Sequence, residues 1–135
     1  MLIDTNVWSE LSRPKPDAKV TRWFGEHLSA CILSSIVFAE MQFGLAIAEG
    51  ARRRQLEAFV ADLLIRLPSG ITDFDAPAAR AWGPLRARLK RQGKLIGERN
   101  MLIAAHALSL DVPLVTRNVS EMARTGARII DPWEG

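Results

Sequence analysis

Cysteine and long apolar runs are nearly absent from this sequence, and both absences restrict where the protein works. Cys31 is the single cysteine, so an intrachain disulfide framework is excluded and a small buried core residue is expected. Such cysteine usage suits a reducing compartment. No segment reaches the roughly 18 apolar residues that span a bilayer, and Met1–Asp4 lacks the basic and apolar regions of a signal peptide. We therefore predict a cytoplasmic protein with no membrane partner.

Motifs for several common chemistries are also missing. There is no Gly-x-x-x-x-Gly-Lys segment, which excludes a phosphate-binding loop of that type. No Cys and His spacing matches a zinc site, which argues against zinc. His106 has no serine or cysteine partner at a recognisable spacing, so a structural role is favoured over a nucleophilic system.

Size and charge are compatible with one domain that binds an anionic partner. The chain has 135 residues, 48% of them hydrophobic, which predicts a single domain over residues 1–135. The net charge of +3 permits a nucleic-acid partner without requiring one. Basic residues cluster at Arg52–Arg54 and again between Arg80 and Lys94. Solvated helix faces are the simpler interpretation of both clusters.

Short apolar segments alternate with helical patterns along the whole chain. Predicted strands lie at Leu2–Asp4, Cys31–Leu33, Ile71–Phe74, Val112–Thr116 and Ala127–Ile130. The intervening helices begin near Asp17, Ser34 or Ser35, Arg53, Asp75, Met101 and Ser120. This alternation predicts an α/β fold, a three-layer α/β/α sandwich with a mainly parallel central sheet.

Two carboxylates stand out against apolar surroundings. Asp4 ends the first strand, and ligands bind beyond the carboxyl ends of strands in open α/β sheets. Equally, Asp4 could cap the next helix, assisted by Thr5 or Asn6. Glu40 lies in a nearly apolar helix, where a carboxylate is usually paired or bound to metal. The alternative places Glu40 on a narrow exposed stripe with Gln42.

Two later segments end in neutral oxygen groups. Asn100 stands at the start of a helix and is open to interpretation as an ordinary N-cap. Thr116 and Asn118 follow a strand, where they could hold water or simply form a turn. Together Asp4, Glu40, Asn100 and Asn118 could converge on a hard cation such as Mg²⁺, which takes oxygen ligands. Such an ion polarises a phosphodiester and activates water.

The sequence resembles the PIN domains, and within them the VapC toxins close to those called FitB. The motifs that carry the resemblance are Leu2-Ile3-Asp4-Thr5-Asn6-Val7, Ala39-Glu40, Asn100 before Ile103-Ala104-Ala105, Val115-Thr116-Arg117-Asn118 and the closing Pro132-Trp133. They span essentially the whole chain in the family's order. The resemblance implies an Mg²⁺- or Mn²⁺-dependent endoribonuclease acting as the toxin of a type II toxin–antitoxin pair.

The resemblance also assigns roles to individual residues. Asp4 and Glu40 match the first two acids of the family, whereas the third, an Asp, falls on Asn100. A more variable polar position falls on Asn118. The implied metal ligands are Asp4, Glu40 and Asn100. The residues implied to position substrate are Thr5, Asn6, Thr116 and Arg117.

The partners implied are RNA as substrate, a second copy of the chain, and a small VapB-type antitoxin. An arginine of the antitoxin would reach the acidic cluster, and operator DNA would be bound only through the antitoxin. Asn100 removes one negative charge, so we expect weaker metal binding and lower activity, whether the residue is natural or introduced. A PIN fold that binds RNA or antitoxin without cutting is the alternative, and a metal-free interaction protein is a third reading.

Overall fold

The computed structural model describes residues 1–134, which form short strands connected by helices. The strands are β1 (Leu2–Ile3), β2 (Leu33–Ser34), β3 (Ile71–Thr72), β4 (Leu114–Val115) and β5 (Ile129–Ile130). The helices are α1 (Thr5–Leu11), α2 (Ala18–His27), α3 (Ser35–Ile47), α4 (Gly50–Arg66), α5 (Ala76–Arg91), α6 (Glu98–Leu110) and α7 (Val119–Ala123). A short 3-10 helix, Leu28–Ala30, follows α2.

Three of the predicted helix starts are confirmed by their caps. The side chains of Asp17, Ser34 and Asp75 each accept a backbone N–H from the first turn that follows, at 2.8 to 3.1 Å. Each bond satisfies a donor that the helix itself leaves unpaired. Of the two serines considered, Ser34 is therefore the cap, and Ser35 is the first residue of α3.

One helix lay outside the main prediction, and two helices begin earlier than predicted. Helix α6 begins at Glu98 rather than at Met101. Helix α1 was expected only in the alternative in which Asp4 caps a helix, because Thr5, Asn6 and Val7 have weak helix propensity. Capping by Asp4 and full burial of Val7 and Trp8 stabilise the helix instead. Helix α4 begins at Gly50 rather than near Arg53, and the positive φ of Gly50 allows the sharp change of direction after α3.

All strand pairs are parallel, as predicted. Strand β4 lies between β1 and β5, and β2 pairs with β3. The two groups are joined because the N–H of Ile3 donates to the carbonyl of Ile32 at 3.2 Å, just before β2. The strand order across the molecule is thus β3-β2-β1-β4-β5.

This order gives a sheet with helices on both faces. Connections between β1, β2 and β3 run one way along the sheet, and those leading to β4 and β5 run the other way. Right-handed crossovers therefore place α1–α4 and α5–α7 on opposite faces, which is the predicted three-layer sandwich. No helix within residues 1–134 is long and apolar enough to cross a membrane.

The core is densest where β1 and β4 meet. Leu2, Ile3, Leu114 and Val115 are fully buried, and burying each such side chain contributes about 1.5–3 kcal/mol. Buried alanines let α6 lie close against the sheet: Ala104, Ala105 and Ala107. The order of the strands reverses between β1 and β4, and this is where open α/β sheets bind ligands.

The surroundings of His106 on α6 show that its side chain is structural. His106 is fully buried, and its Nδ1 lies 2.9 Å from the Ser34 hydroxyl. Its ring packs edge-on against Phe74. Burial lowers the pKa of His106, which favours the neutral ring. The structural role expected from the sequence is confirmed.

Candidate active site

Asp4 and Thr116 meet where the strand order reverses. Each is the first residue after its strand, β1 or β4, and the two strands are parallel neighbours. The Thr116 hydroxyl donates to Oδ2 of Asp4 at 2.7 Å, in buried surroundings. The backbone N–H of Asp4 donates in turn to the carbonyl of Val115 at 2.9 Å. The end of the sheet thus fixes the position of this carboxylate.

Asp4 occupies both of the positions that the sequence left open, the helix cap and the carboxyl end of the strand. It caps α1, since its Oδ1 accepts the N–H of Thr5 at 2.7 Å. It also lies at the carboxyl end of β1, with only 4% of its surface exposed. Burial raises the pKa of Asp4, although bonds from Thr116, Thr5 and Asn6 and the charge of Arg99 act in the opposite direction. The carboxylate is therefore held at an energetic cost that a cation would relieve.

Glu40 of α3 is the second carboxylate at this site. The hydroxyl of Thr5 donates to its Oε1 at 2.8 Å, which connects α3 to the start of α1. Its Oε2 lies 2.8 Å from Nη1 of Arg99, and the Glu40 side chain is 16% exposed. This excludes the exposed-stripe alternative. Burial raises the pKa of Glu40, and the nearby Asp4 charge adds to that rise.

Replacement of Glu40 by Gln should reveal this burial in the pH dependence of stability. A carboxyl with a raised folded-state pKa supports folding below its ordinary pKa of 4.5 and loses that support as pH rises through the folded-state value. Without metal, the thermal midpoint of Glu40→Gln relative to the unmodified chain should therefore increase between pH 4 and pH 7, by a few degrees. Scanning calorimetry in chelator measures it.

The matched control is Glu26→Gln on α2, where the side chain is exposed. Its midpoint relative to the unmodified chain should stay nearly constant over the same pH interval. A Glu40→Gln difference that is flat, or that decreases with rising pH, would contradict the burial described above.

The two asparagines converge on a third carboxylate, Glu121 of α7. The amide of Asn118 donates to Oε2 of Glu121 at 3.0 Å, and that of Asn100 donates to Oε1 at 3.2 Å. The N–H of Gly97 also donates to Oε1 at 3.2 Å. These bonds lower the pKa of Glu121, that from Asn118 most. Glu121 thus stays ionised beside the position where the family resemblance expects an aspartate.

The structure overturns the N-cap interpretation of Asn100. The N-cap of α6 is Gly97, and Asn100 lies within the first turn of the helix. Its side chain reaches across to α7 instead of back to its own helix. Glu98 does not compensate for the missing charge, because it extends to Arg86 at 3.1 Å.

A single hydrogen-bonded network contains the eight residues that the sequence singled out. Asn6 is central to it: its amide nitrogen donates to Thr116 at 3.1 Å and to Asp4 at 3.3 Å. Its amide oxygen accepts the N–H of Arg117 at 3.2 Å. The N–H of Asn118 donates to the hydroxyl of Thr116 at 3.0 Å. The residues are brought together as expected, while their chemical roles remain predictions.

Sequence reasoning missed two members of this network, Glu121 and Arg99. Both stand in segments that drew attention, but only Glu121 carries a local signal of its role. An acid three residues after Asn118 matches one turn of helix, which is the spacing that brings such pairs together. That spacing was the available sign for Glu121. Arg99 becomes visible only when α6 and α3 are placed side by side.

The oxygen atoms at this site are ligands of the kind that a hard divalent cation prefers. Mg²⁺ is usually held by one or two carboxylates, with waters and substrate phosphate completing its shell. Asp4 and Glu40 supply two carboxylates. The amide oxygen of Asn100 has no partner within residues 1–134. In the same range, no three His, Cys, Asp or Glu side chains form a closed metal cluster, so a bound ion would rely on water and substrate.

Comparison with known proteins agrees with this fold. The PIN domain family matches residues 1–127. A VapC ribonuclease of Sinorhizobium fredii is 35% identical, covering 99% of this chain and 98% of that protein. The crystal structure of FitAcB from Neisseria gonorrhoeae has a TM-score of 0.90 at 30% identity, covering 99% of each chain.

A third solved or curated protein that resembles this chain is less similar in sequence. The crystal structure of a member of the VapBC family of toxin–antitoxin systems, from Mycobacterium tuberculosis, has a TM-score of 0.67 at 25% identity. It covers 96% of this chain and 95% of that one. Since both the family match and the close relatives span nearly the whole sequence, this chain belongs to the PIN domain family and is a VapC-type toxin within it.

Proposed function

We propose that this chain is a divalent-metal-dependent endoribonuclease, the toxin of a type II toxin–antitoxin pair. The observation that carries the proposal is the placement of Asp4 and Glu40. Both are largely buried carboxylates with raised pKa values, and Thr5 joins them at the ligand-binding end of the sheet. The Sinorhizobium fredii relative is named a ribonuclease, which supports RNA as the substrate.

Asp4, Glu40 and Asn100 would hold the cation, Mg²⁺ or Mn²⁺. Such an ion would supply Lewis acidity toward a phosphodiester and would lower the pKa of a water molecule. Asn100 contributes an oxygen without a charge. Glu121 supplies negative charge next to that amide, which partly restores what an aspartate would provide.

The other residues of the network fix the two acids and the substrate. Thr5, Asn6 and Thr116 donate hydrogen bonds to Asp4 and Glu40 and so hold the orientation of both carboxylates. Asn118 offers an amide oxygen for a water at the edge of the site. Arg117 is exposed beside Asn6 and would contact an RNA phosphate.

Two arginines of the basic stretch on α5 are less suited than Arg117 to contact an RNA phosphate. Arg88 donates to the carbonyls of Arg124 and Thr125, at 3.3 and 2.9 Å. Arg86 is paired with Glu98. Both side chains are used in tying α5 to its neighbours, so phosphate contact is assigned to Arg117.

An antitoxin would bind in the groove next to Glu40. This cavity of about 140 Å³ lies between α1, α3 and α4, and its lining includes Trp8, Met41 and Phe59. Apolar walls with a carboxylate at one end suit a peptide that brings apolar side chains and one arginine. A second copy of the chain would cover Ile47 and Ile65, which are 67% and 83% exposed.

Digestion of a mixed RNA pool tests the proposal. With Mg²⁺ or Mn²⁺ the chain should cut RNA slowly, and excess chelator should abolish cleavage because it removes the Lewis acid that would polarise the phosphodiester. Cleavage that persists in chelator would refute metal dependence. If no RNA is cut at any metal concentration, the nuclease assignment fails for this sequence.

Binding without cleavage is the second candidate function. Asn100 lacks the charge of an aspartate, and Arg99 already neutralises part of Glu40; both favour an inactive module that binds RNA or antitoxin. Stable RNA binding with no cleavage would support this candidate. A thermal midpoint that excess Mn²⁺ leaves unchanged would instead favour the metal-free interaction protein, because a ligand specific to the folded state raises stability.

A further inference from the structure

An open cleft borders the network at Asn6 and Arg117. It has a volume of about 430 Å³ and is lined by Asn6, Ser9, Glu10, Arg13, Arg52, Arg117 and Trp133. That volume is within the range of about 300–1,000 Å³ typical of small-ligand pockets. Three arginines and one glutamate give the lining a net charge of +2, so the cleft favours an anionic ligand.

The arginines of this cleft are not equivalent. Arg13 is paired with Glu10 at 3.3 Å. Arg52 is held against α1 by bonds to the carbonyl and hydroxyl of Ser12, at 3.1 and 3.3 Å. The guanidinium of Arg117, in contrast, has no carboxylate partner within residues 1–134 and lies 4.8 Å from the centre of the Trp133 ring. Arg117 is therefore the cation of the cleft that is free to bind an anion.

The fold explains why Arg117 and Trp133 are stacked. Arg117 follows β4 and Trp133 follows β5, which are parallel neighbours whose carboxyl ends lie side by side. The N–H of Trp133 donates to Oδ1 of Asp131 at 3.0 Å, which fixes the turn that presents the ring. A guanidinium over an indole is a favourable pair and a flat platform.

We propose that this cleft binds a nucleotide of single-stranded RNA flanking the cleavage site. The base lies against the Arg117–Trp133 stack, and the phosphate is bound by Arg117. The inference rests on the proposed nuclease function. Asn6 ties the cleft to the acids, since it accepts the Arg117 N–H at 3.2 Å and donates to Asp4 at 3.3 Å. Recognition by stacking requires an unpaired base, so the substrate class is single-stranded RNA and not duplex RNA.

The test is the affinity of a short fluorescent single-stranded RNA, measured by anisotropy in chelator so that nothing is cut. Trp133→Ala should weaken binding about tenfold, the loss expected for one stacked base. Trp133→Phe should retain binding within about threefold, because a smaller ring still stacks. In a series of RNAs that each lack one base, one RNA should bind the unmodified chain and Trp133→Ala with equal affinity. Duplex RNA should be unaffected by that variant.

Arg117→Gln tests the phosphate contact by removing the guanidinium charge. It should weaken binding and reduce the salt dependence of log affinity by about one phosphate contact. The matched control is Arg91→Gln on α5, which removes the same charge from an exposed position and should change affinity by no more than about twofold. Circular dichroism and thermal midpoints confirm that each variant is folded.

Several outcomes would overturn the inference. Equal RNA affinity of the unmodified chain and Trp133→Ala would do so, as would an Arg117→Gln effect no larger than that of Arg91→Gln. If Trp133→Ala weakens binding of an oligoglutamate peptide but not of RNA, the cleft is a protein-docking site. If the chain cleaves RNA and Trp133→Ala binds RNA as tightly as the unmodified chain, this inference is wrong and the nuclease proposal stands. If RNA affinity depends on Trp133 but no RNA is cleaved under any condition, the nuclease proposal is wrong and the binding site stands.

Discussion

Asn100→Asp should increase metal-dependent RNA cleavage by about 10- to 100-fold. The substitution adds a full negative charge where Asp4 and Glu40 supply only two carboxylates. Two unit charges about 4 Å apart interact by about 4 kcal/mol at the effective dielectric of a protein surface. Asn100 is half-exposed, so solvent reduces this interaction, and each ~1.4 kcal/mol that remains corresponds to a factor of ten.

The same substitution should weaken the protein when metal is absent. The Asn100 amide donates to Glu121 at 3.2 Å, and a carboxylate cannot donate in its place. The introduced carboxylate would instead set two negative charges side by side, which is unfavourable until a cation bridges them. The thermal midpoint of Asn100→Asp in chelator should therefore fall below that of the unmodified chain, and Mn²⁺ should raise it by a larger amount.

Calorimetric scans and RNA digestion, each with and without Mn²⁺, measure both effects. The matched control is Gln42→Glu, which adds the same charge at an exposed position of α3 and should alter neither. Cleavage by Asn100→Asp that is no faster than that of the unmodified chain would contradict the assignment of position 100 to the metal site.

Asp4→Asn should reduce RNA cleavage by at least about 100-fold. Asp4 is the most buried acid of the network, with 4% exposure. The substitution replaces a charged metal ligand with a neutral amide oxygen, and metal-ion catalysis contributes several kcal/mol to such a reaction. Asn has the shape of Asp and is an equally good N-cap, so helix α1 should still form. One lost acceptor for Thr116 or Asn6 costs about 1 kcal/mol.

The control for Asp4→Asn is Asp17→Asn, which makes the same change at the N-cap of α2. It should leave the cleavage rate within about twofold, since Asn caps as well as Asp. Initial rates on the RNA pool at saturating Mn²⁺ compare the two. If Asp4→Asn cuts as fast as Asp17→Asn, Asp4 acts only as a helix cap.

The α/β sandwich was predictable because its signals are local. Short apolar strands alternate with helices whose starts are marked by cap residues, and Asp17, Ser34 and Asp75 all cap as expected. The position of Asp4 was predictable for the same reason, because it is an acid directly after a buried strand. Helix α1 was hard to predict from local signals, because the weak helix propensity of Thr5–Val7 is outweighed by tertiary burial of Val7 and Trp8.

The site was predictable only in part, because some of its contacts depend on how elements pack. Glu121 reaches Asn100 because α7 lies against the start of α6. Arg99 reaches Glu40 across the α3–α6 contact. No sequence spacing encodes either distance. The N-cap interpretation of Asn100 failed for the same reason: Gly97 takes the cap position, and Glu121 binds its N–H from another helix.

Calorimetric titration of Mn²⁺ into the RNA-free protein tests directly whether Asp4 and Glu40 hold a divalent cation. We expect saturable binding by the unmodified chain, about 10- to 100-fold tighter binding by Asn100→Asp, and none detectable for Asp4→Asn. Binding that is the same in all three proteins, or absent from both the unmodified chain and Asn100→Asp, would contradict it.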